Sequence, residues 1–140
     1  MERIKLNLPE QFLFSTNIAV RITDINYGGH VGNDSFLSLI HEARQQFLNY
    51  YQYSEMNFAG TSLIMADVAV EYKKELSYGD VVKISVTAIG FDKLGFDIFY
   101  LLELFHLLGY CWQHVKRLLK RHQFYQQVYL FLALSLMYLE

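Results

Sequence analysis

Within the first hundred residues of this chain, one run of helical period stands among several runs of strand period, and that ratio narrows the fold more than any other feature. Residues Thr16–Thr23 alternate, with Ile18, Val20 and Ile22 on one face and Ala19, Arg21 and Thr23 on the other, which predicts a half-buried strand. A glycine-rich loop follows. Phe36, Leu37, Ile40, Ala43, Phe47, Leu48 and Tyr51 then recur at helical spacing and predict an amphipathic helix of about four turns. The period returns to two: Val68, Val70 and Tyr72 within Leu63–Glu75, then Val82, Ile84, Val86 and Ala88, then Phe96, Ile98 and Tyr100. Turns at Tyr78-Gly79-Asp80 and at 92–95 separate these runs. Strand, long helix and antiparallel meander predict an α+β domain with the helix on one sheet face.

Composition supports a packed core and excludes several classes. The chain has 140 residues, 53% of them apolar and 19% charged, which suits one globular domain. Twelve Lys and Arg against 14 Asp and Glu give a net charge of −2, so nucleic acid is not an expected partner. A single cysteine, Cys111, excludes a disulfide framework and a cysteine-based zinc site. The five histidines show neither HxH nor HExxH spacing, and no metal or cofactor is expected. Met1–Phe14 alternates charged with apolar residues, unlike a secretory leader, and no run approaches the ~18 apolar residues of a membrane span. The expectation is a cytoplasmic protein.

The loop between strand and helix holds the groups that can do chemistry. Asp24, Asn26, His30 and Asn33 lie there with Gly28, Gly29 and Gly32, just before a helix start. The N–H groups and positive end of a helix can polarise a carbonyl oxygen and hold a developing oxyanion. A carboxylate beside them can serve as a nucleophile or as a general base for water. Chemistry alone leaves a plainer role open, since an Asp before a glycine turn commonly caps it.

The stretch Val20-Arg21-Ile22-Thr23-Asp24-Ile25-Asn26-Tyr27-Gly28-Gly29-His30-Val31-Gly32-Asn33, with Phe36 and Glu42-Ala43-Arg44 in the helix, resembles the hot-dog-fold acyl-CoA thioesterases, which include the 4-hydroxybenzoyl-CoA thioesterase-like enzymes. Their pattern, D-x-[D/N]-x-x-G-H-V-x-N followed by E-x-R in the helix, is matched at Asp24, Asn26, Gly29, His30, Val31, Asn33, Glu42 and Arg44. Val68–Tyr72 before Tyr78-Gly79-Asp80 resembles the family's next strand and turn. The resemblance covers about residues 12–100. It implies a long helix wrapped by a curved antiparallel sheet, with active sites between the subunits of a homodimer or homotetramer. It further implies hydrolysis of acyl-CoA or acyl-carrier-protein thioesters. Asp24 would be the catalytic carboxylate, Asn26 and His30 would shape the loop or assist, and backbone N–H groups at Val31, Gly32 and Asn33 would receive the thioester carbonyl.

Two departures stand out: Gly32 replaces the first of a common Asn-Asn pair, and Phe36 replaces a common tyrosine. An acyl-thioester hydratase or dehydratase is the alternative within the fold. Its motif resembles D-x-N-P-x-H, whereas His30 lies six residues after Asp24 and no proline intervenes. Glu42 is a candidate second acid, or a partner of Arg44. Asp67 is a candidate pocket residue on a strand of small apolar residues. His41 reads as a surface residue of the helix.

The last forty residues have a different character. Residues 101–140 hold twelve leucines and no Asp, Asn, Thr or Pro. Val115–Leu119 and Phe124–Leu139 read as helix-favouring, with Lys116, Arg117, Lys120 and Arg121 forming a basic surface. The expected division is a hot-dog domain over 1–103 whose last strand is incomplete or missing, and an atypical leucine-rich helical tail over 104–140. A reading-frame shift near codon 101 accounts for such a tail. The alternative is a native amphipathic segment that docks on the sheet or a membrane, making the chain an inactive hot-dog remnant with a binding role.

Overall fold

The computed structural model describes residues 5–105 and 130–139. Strand β1 (Phe14–Ala19) leads through a 3-10 turn (Ile22–Asp24) to helix α1 (Asn33–Tyr50). Strands β2 (Ser62–Tyr72), β3 (Val81–Ile89), β4 (Gly95–Leu104) and β5 (Leu130–Leu139) complete one antiparallel sheet of order β1-β3-β4-β5-β2. One helix packed on a single antiparallel sheet is the α+β hot-dog arrangement that the sequence implied.

The core lies where the apolar stripe of α1 meets the inner face of the sheet. Phe36, Leu39, Ile40, Ala43, Phe47 and Leu48 are buried, together with Val82, Ile84 and Val86 of β3 and Ile98, Tyr100 and Leu102 of β4. The alternation of β3 and β4 puts these residues on one face, and the 3.6-residue period of α1 supplies the complementary stripe. Leu37 and Tyr51, expected on the stripe, are exposed, and Leu39 takes the place in the core.

Two expectations are corrected. The first strand stops at Ala19, because Asp24 reaches back to accept the backbone N–H of Arg21 at 2.8 Å and closes a 3-10 turn. Ile22 therefore faces solvent instead of continuing the apolar face begun at Ile18. The second correction lies at the end of the chain. Residues 130–139 form a strand where a helix was expected, and the sheet does not lack its last strand. The backbone of β5 pairs with Gly95–Leu102 of β4 on one side and with Ser62–Tyr72 of β2 on the other. Without it, the facing edges of β4 and β2 would leave two rows of N–H and C=O groups unpaired. Two ladders of hydrogen bonds outweigh the preference of leucine for helix, which amounts to tenths of a kcal/mol per residue. The division after Glu103 accordingly does not separate the sheet from the chain's end. Cys111, the basic cluster from Lys116 to Arg121 and the expected helix at Val115–Leu119 lie outside the described residues, as does the part of the second expected helix before Leu130.

Candidate active site

The loop from Arg21 to Gly32 is built by backbone hydrogen bonds that fold it into a narrow hairpin. Asn26 N–H donates to the His30 carbonyl at 2.9 Å, and Gly29 N–H to the Asn26 carbonyl at 3.0 Å. Gly29 turns the chain at φ +84°, a conformation that costs glycine little. Ile25 and Val31 form an antiparallel bridge below this turn. Gly32 N–H then donates to the Asp24 carbonyl at 3.0 Å, fixing Asp24 beside the residue that opens α1.

Asp24 is buried, 4% exposed, and its carboxylate is gripped from one side. Oδ2 accepts the Arg21 backbone N–H and, at 3.3 Å, Nε of its guanidinium, while Oδ1 accepts Nη2 at 3.2 Å. The Arg21 side chain itself stays largely in solvent. Asp24 thus caps the turn, as the plainer reading held. Among the described residues Oδ1 takes a single hydrogen bond, so a lone pair remains for chemistry.

The helix start differs in detail from the expectation. The Val31 N–H donates to the Leu76 carbonyl at 2.9 Å, and the Gly32 N–H is held by Asp24. Neither is available to a substrate oxygen. The free N–H groups lie two residues further along: no side chain caps α1 at Gly32, and among the described residues no hydrogen bond engages the N–H groups of Asn33, Asp34 and Ser35. These lie at the positive end of the helix dipole. Of the three residues expected to supply donors, only Asn33 keeps a free N–H among the described residues.

Leu76 is the residue that the sequence analysis missed. Fully buried, it anchors the segment between β2 and β3 and its carbonyl positions Val31. The available signal was one apolar residue set among Lys73, Lys74, Glu75, Ser77 and Tyr78. Tyr72 was missed as well. Its ring packs edge-on against Phe36 at 5.4 Å, and its hydroxyl donates to the Asn33 carbonyl at 3.4 Å. Burial of the ring, with the Asp34 carboxylate adding to it, pushes the Tyr72 phenol up from its ordinary value.

Asp24, Asn26, His30 and the residues from Val31 to Asn33 are therefore gathered at one end of α1, and the two outlying acids are not. Glu42 is exposed, accepts Gln46 Nε2 at 2.7 Å, and lines a groove of about 290 Å³ with Ile18, Arg21, Ser38, Leu39 and His41. It does not pair with Arg44, whose Nε donates to Glu55 Oε1 at 2.5 Å. Asp67 is exposed on β2 opposite Ser135, five residues and about 16 Å along the strand from Tyr72. One His30 ring nitrogen, Nε2, is met by the Asn26 amide at 3.2 Å.

The thioesterase-like superfamily matches the chain over residues 20–105, which includes this loop, the helix and three strands. The chain belongs to that superfamily. Solved structures carry the same fold at low sequence identity. A thioesterase from Thermus thermophilus, complexed with coenzyme A and Zn, is 21% identical with a TM-score of 0.69, covering 94% of this chain and 83% of its own. A 1,4-dihydroxy-2-naphthoyl-CoA thioesterase from Synechocystis is 16% identical with a TM-score of 0.69, covering 89% and 80%. A thioesterase superfamily protein from Jannaschia sp. CCS1 is 16% identical with a TM-score of 0.69, covering 94% and 72%. No curated protein matches the chain significantly. Among the described residues, no helix is long and apolar enough to cross a membrane.

Proposed function

We propose that this chain hydrolyses acyl thioesters of coenzyme A or acyl carrier protein, with Asp24 as the reacting carboxylate. The observation that carries this reading is the buried Asp24 carboxylate tied by backbone to the uncapped start of α1. The superfamily match supports thioester hydrolysis in general, and two of the fold's relatives are named for coenzyme A or a CoA thioester. The thioester carbonyl docks on the N–H groups at Asn33–Ser35, which stabilise the oxyanion as the carbonyl carbon is attacked. Asp24 acts in one of two ways. As nucleophile it forms a mixed anhydride and releases the thiolate, and water then cleaves the anhydride. As general base it takes a proton from the water that attacks the carbonyl directly. A homo-oligomer fits this reading, because β2 lies at the sheet edge with Ile64, Met65 and Val68 exposed.

The test is Asp24→Asn. Asparagine keeps an oxygen for the Arg21 backbone N–H, so the fold persists while hydrolysis of octanoyl-CoA or benzoyl-CoA, read by free thiol, falls at least ~10²-fold. Full activity in the folded variant ends the assignment. Single-turnover hydrolysis in ¹⁸O-water, with mass analysis of the Asp24 peptide, identifies the anhydride route when water cleaves the anhydride at Asp24 Cγ, since the general-base route never labels the side chain. A folded wild type with no hydrolysis of any acyl thioester favours the inactive binding remnant.

A further inference from the structure

We infer that Asn26 and Gly28 hold His30 as its Nδ1–H tautomer, making Nδ1 a neutral hydrogen-bond donor to an oxygen of the bound thioester. The donor role rests on the hydrolytic reading above; the tautomer does not.

The chain of hydrogen bonds determines which nitrogen carries the proton. Gly28 N–H donates to Asn26 Oδ1 at 2.8 Å, which fixes the oxygen end of that amide. The other end, Nδ2, then faces His30 Nε2 at 3.2 Å. An amide nitrogen only donates, so Nε2 must offer its lone pair, and in the neutral ring the proton resides on Nδ1. The hairpin bonds between Asn26 and His30 backbones hold the two side chains together.

Gly28 completes the device by having no side chain. A Cβ there would lie 3.0 Å from His30 Cε1, 3.3 Å from Nδ1 and 3.1 Å from Asn26 Oδ1. Its backbone does not lie in the left-handed region, so an added Cβ would act by pressing on these two side chains rather than by straining the backbone. His30 is half-buried. A neutral imidazole N–H polarises a carbonyl oxygen without transferring a proton, as neutral histidines do in other carbonyl enzymes.

Long-range ¹⁵N–¹H correlation spectra of the full chain, labelled at histidine and recorded above about pH 8 where the free side chain is neutral, read the tautomer directly. His30 is expected as Nδ1–H in the wild type and as Nε2–H in Asn26→Asp, where a carboxylate accepts from Nε2. Gly28→Ala is expected to blur the wild-type pattern. An Nε2–H pattern in the wild type overturns the inference. The donor role is read from two variants: in His30→Asn the amide N–H stands near Nδ1, and in His30→Gln near Nε2. His30→Gln is expected to lose about tenfold more kcat than His30→Asn, the scale of one hydrogen bond, with octanoyl-CoA as substrate. Equal losses overturn the donor role, because a merely structural contact with Asn26 is better kept by the Gln variant. A wild type without hydrolysis also overturns the donor role, while the spectrum still decides the tautomer.

Discussion

The two ends of α1 are finished in opposite ways. At its C-terminal end, Phe47 meets Phe14 and Tyr51 edge-on at 5.8 and 5.3 Å, and Tyr50 packs on Phe14 and Tyr51. The Tyr51 and Tyr53 backbone N–H groups both reach the Leu48 carbonyl, and Arg44 is locked to Glu55 of the following loop. At its N-terminal end, Gly32 offers no side-chain cap and three N–H groups stay unengaged among the described residues. A helix end closed by its own chain contributes stability; one left open keeps hydrogen-bonding capacity for a substrate.

Substitutions that move stability and activity separately test this contrast. Phe47→Ala opens a cavity at the closed end and is expected to cost about 3–5 kcal/mol in chemical denaturation. Below the transition its kcat is expected to stay near wild type, since Phe47 lies some 21 Å along the helix from Asn33; a large loss of activity in folded protein breaks the contrast. Glu55→Gln leaves the Arg44 guanidinium, 10% exposed, facing a neutral amide. With Glu55 a quarter exposed, the expected cost is about 2 kcal/mol, again without a change in kcat.

Gly32→Ser treats the open end in the reverse sense. A serine hydroxyl can accept the N–H groups of α1, so stability is expected to hold or rise by at most a few tenths of a kcal/mol in chemical denaturation, on the order of the Gly-to-Ser cap difference. Its Cβ would meet Asp34 Oδ1 at 2.5 Å, which requires only that this flexible side chain turn away. The same hydroxyl competes with the thioester carbonyl, and hydrolysis is expected to fall at least about tenfold. Stabilisation without loss of activity shows that the substrate oxygen does not bind there.

Tyr100 gives the smallest effect. Its hydroxyl is buried beside the Arg44 guanidinium with no well-formed hydrogen bond among the described residues, and burial drives its phenol far above the ordinary value of 10.0, against the opposing charge and weak hydrogen bonding of Arg44. A phenol that ionises more readily in the unfolded chain lends its stability in full below about pH 10 and loses it as the pH rises further. Tyr100→Phe is expected to gain about 1 kcal/mol and to flatten the alkaline decline in denaturation curves. A loss of stability instead reveals a partner for the hydroxyl.

Local pattern carried much of this in advance. The 3.6-residue stripe through Phe36, Ile40, Ala43, Phe47 and Leu48 and the alternation at Val82, Ile84, Val86 and Ile98 are statements about which side of an element is apolar, and burial follows directly. The gathering of Asp24, Asn26, His30 and Asn33 was legible for a similar reason: they lie on ten consecutive residues, and a loop this short cannot separate them. That Val31 offers no free N–H was not legible, because its partner is the Leu76 carbonyl, 45 residues further along the chain. No spacing within the loop encodes that partner.

What the sequence determined by itself is therefore the set of amphipathic elements and the chemistry-bearing loop, each specified by contacts within about twenty residues. Tertiary structure alone decided which N–H groups remain at the start of α1, and what Leu130–Leu139 becomes. Leucine-rich segments favour a helix locally, but the open edges of β4 and β2 lie one strand's width apart, and pairing with both satisfies backbone groups that no isolated helix can reach. Such a choice depends on strands that begin 68 and 35 residues earlier in the chain, at Ser62 and Gly95, and no reading of ten residues contains it.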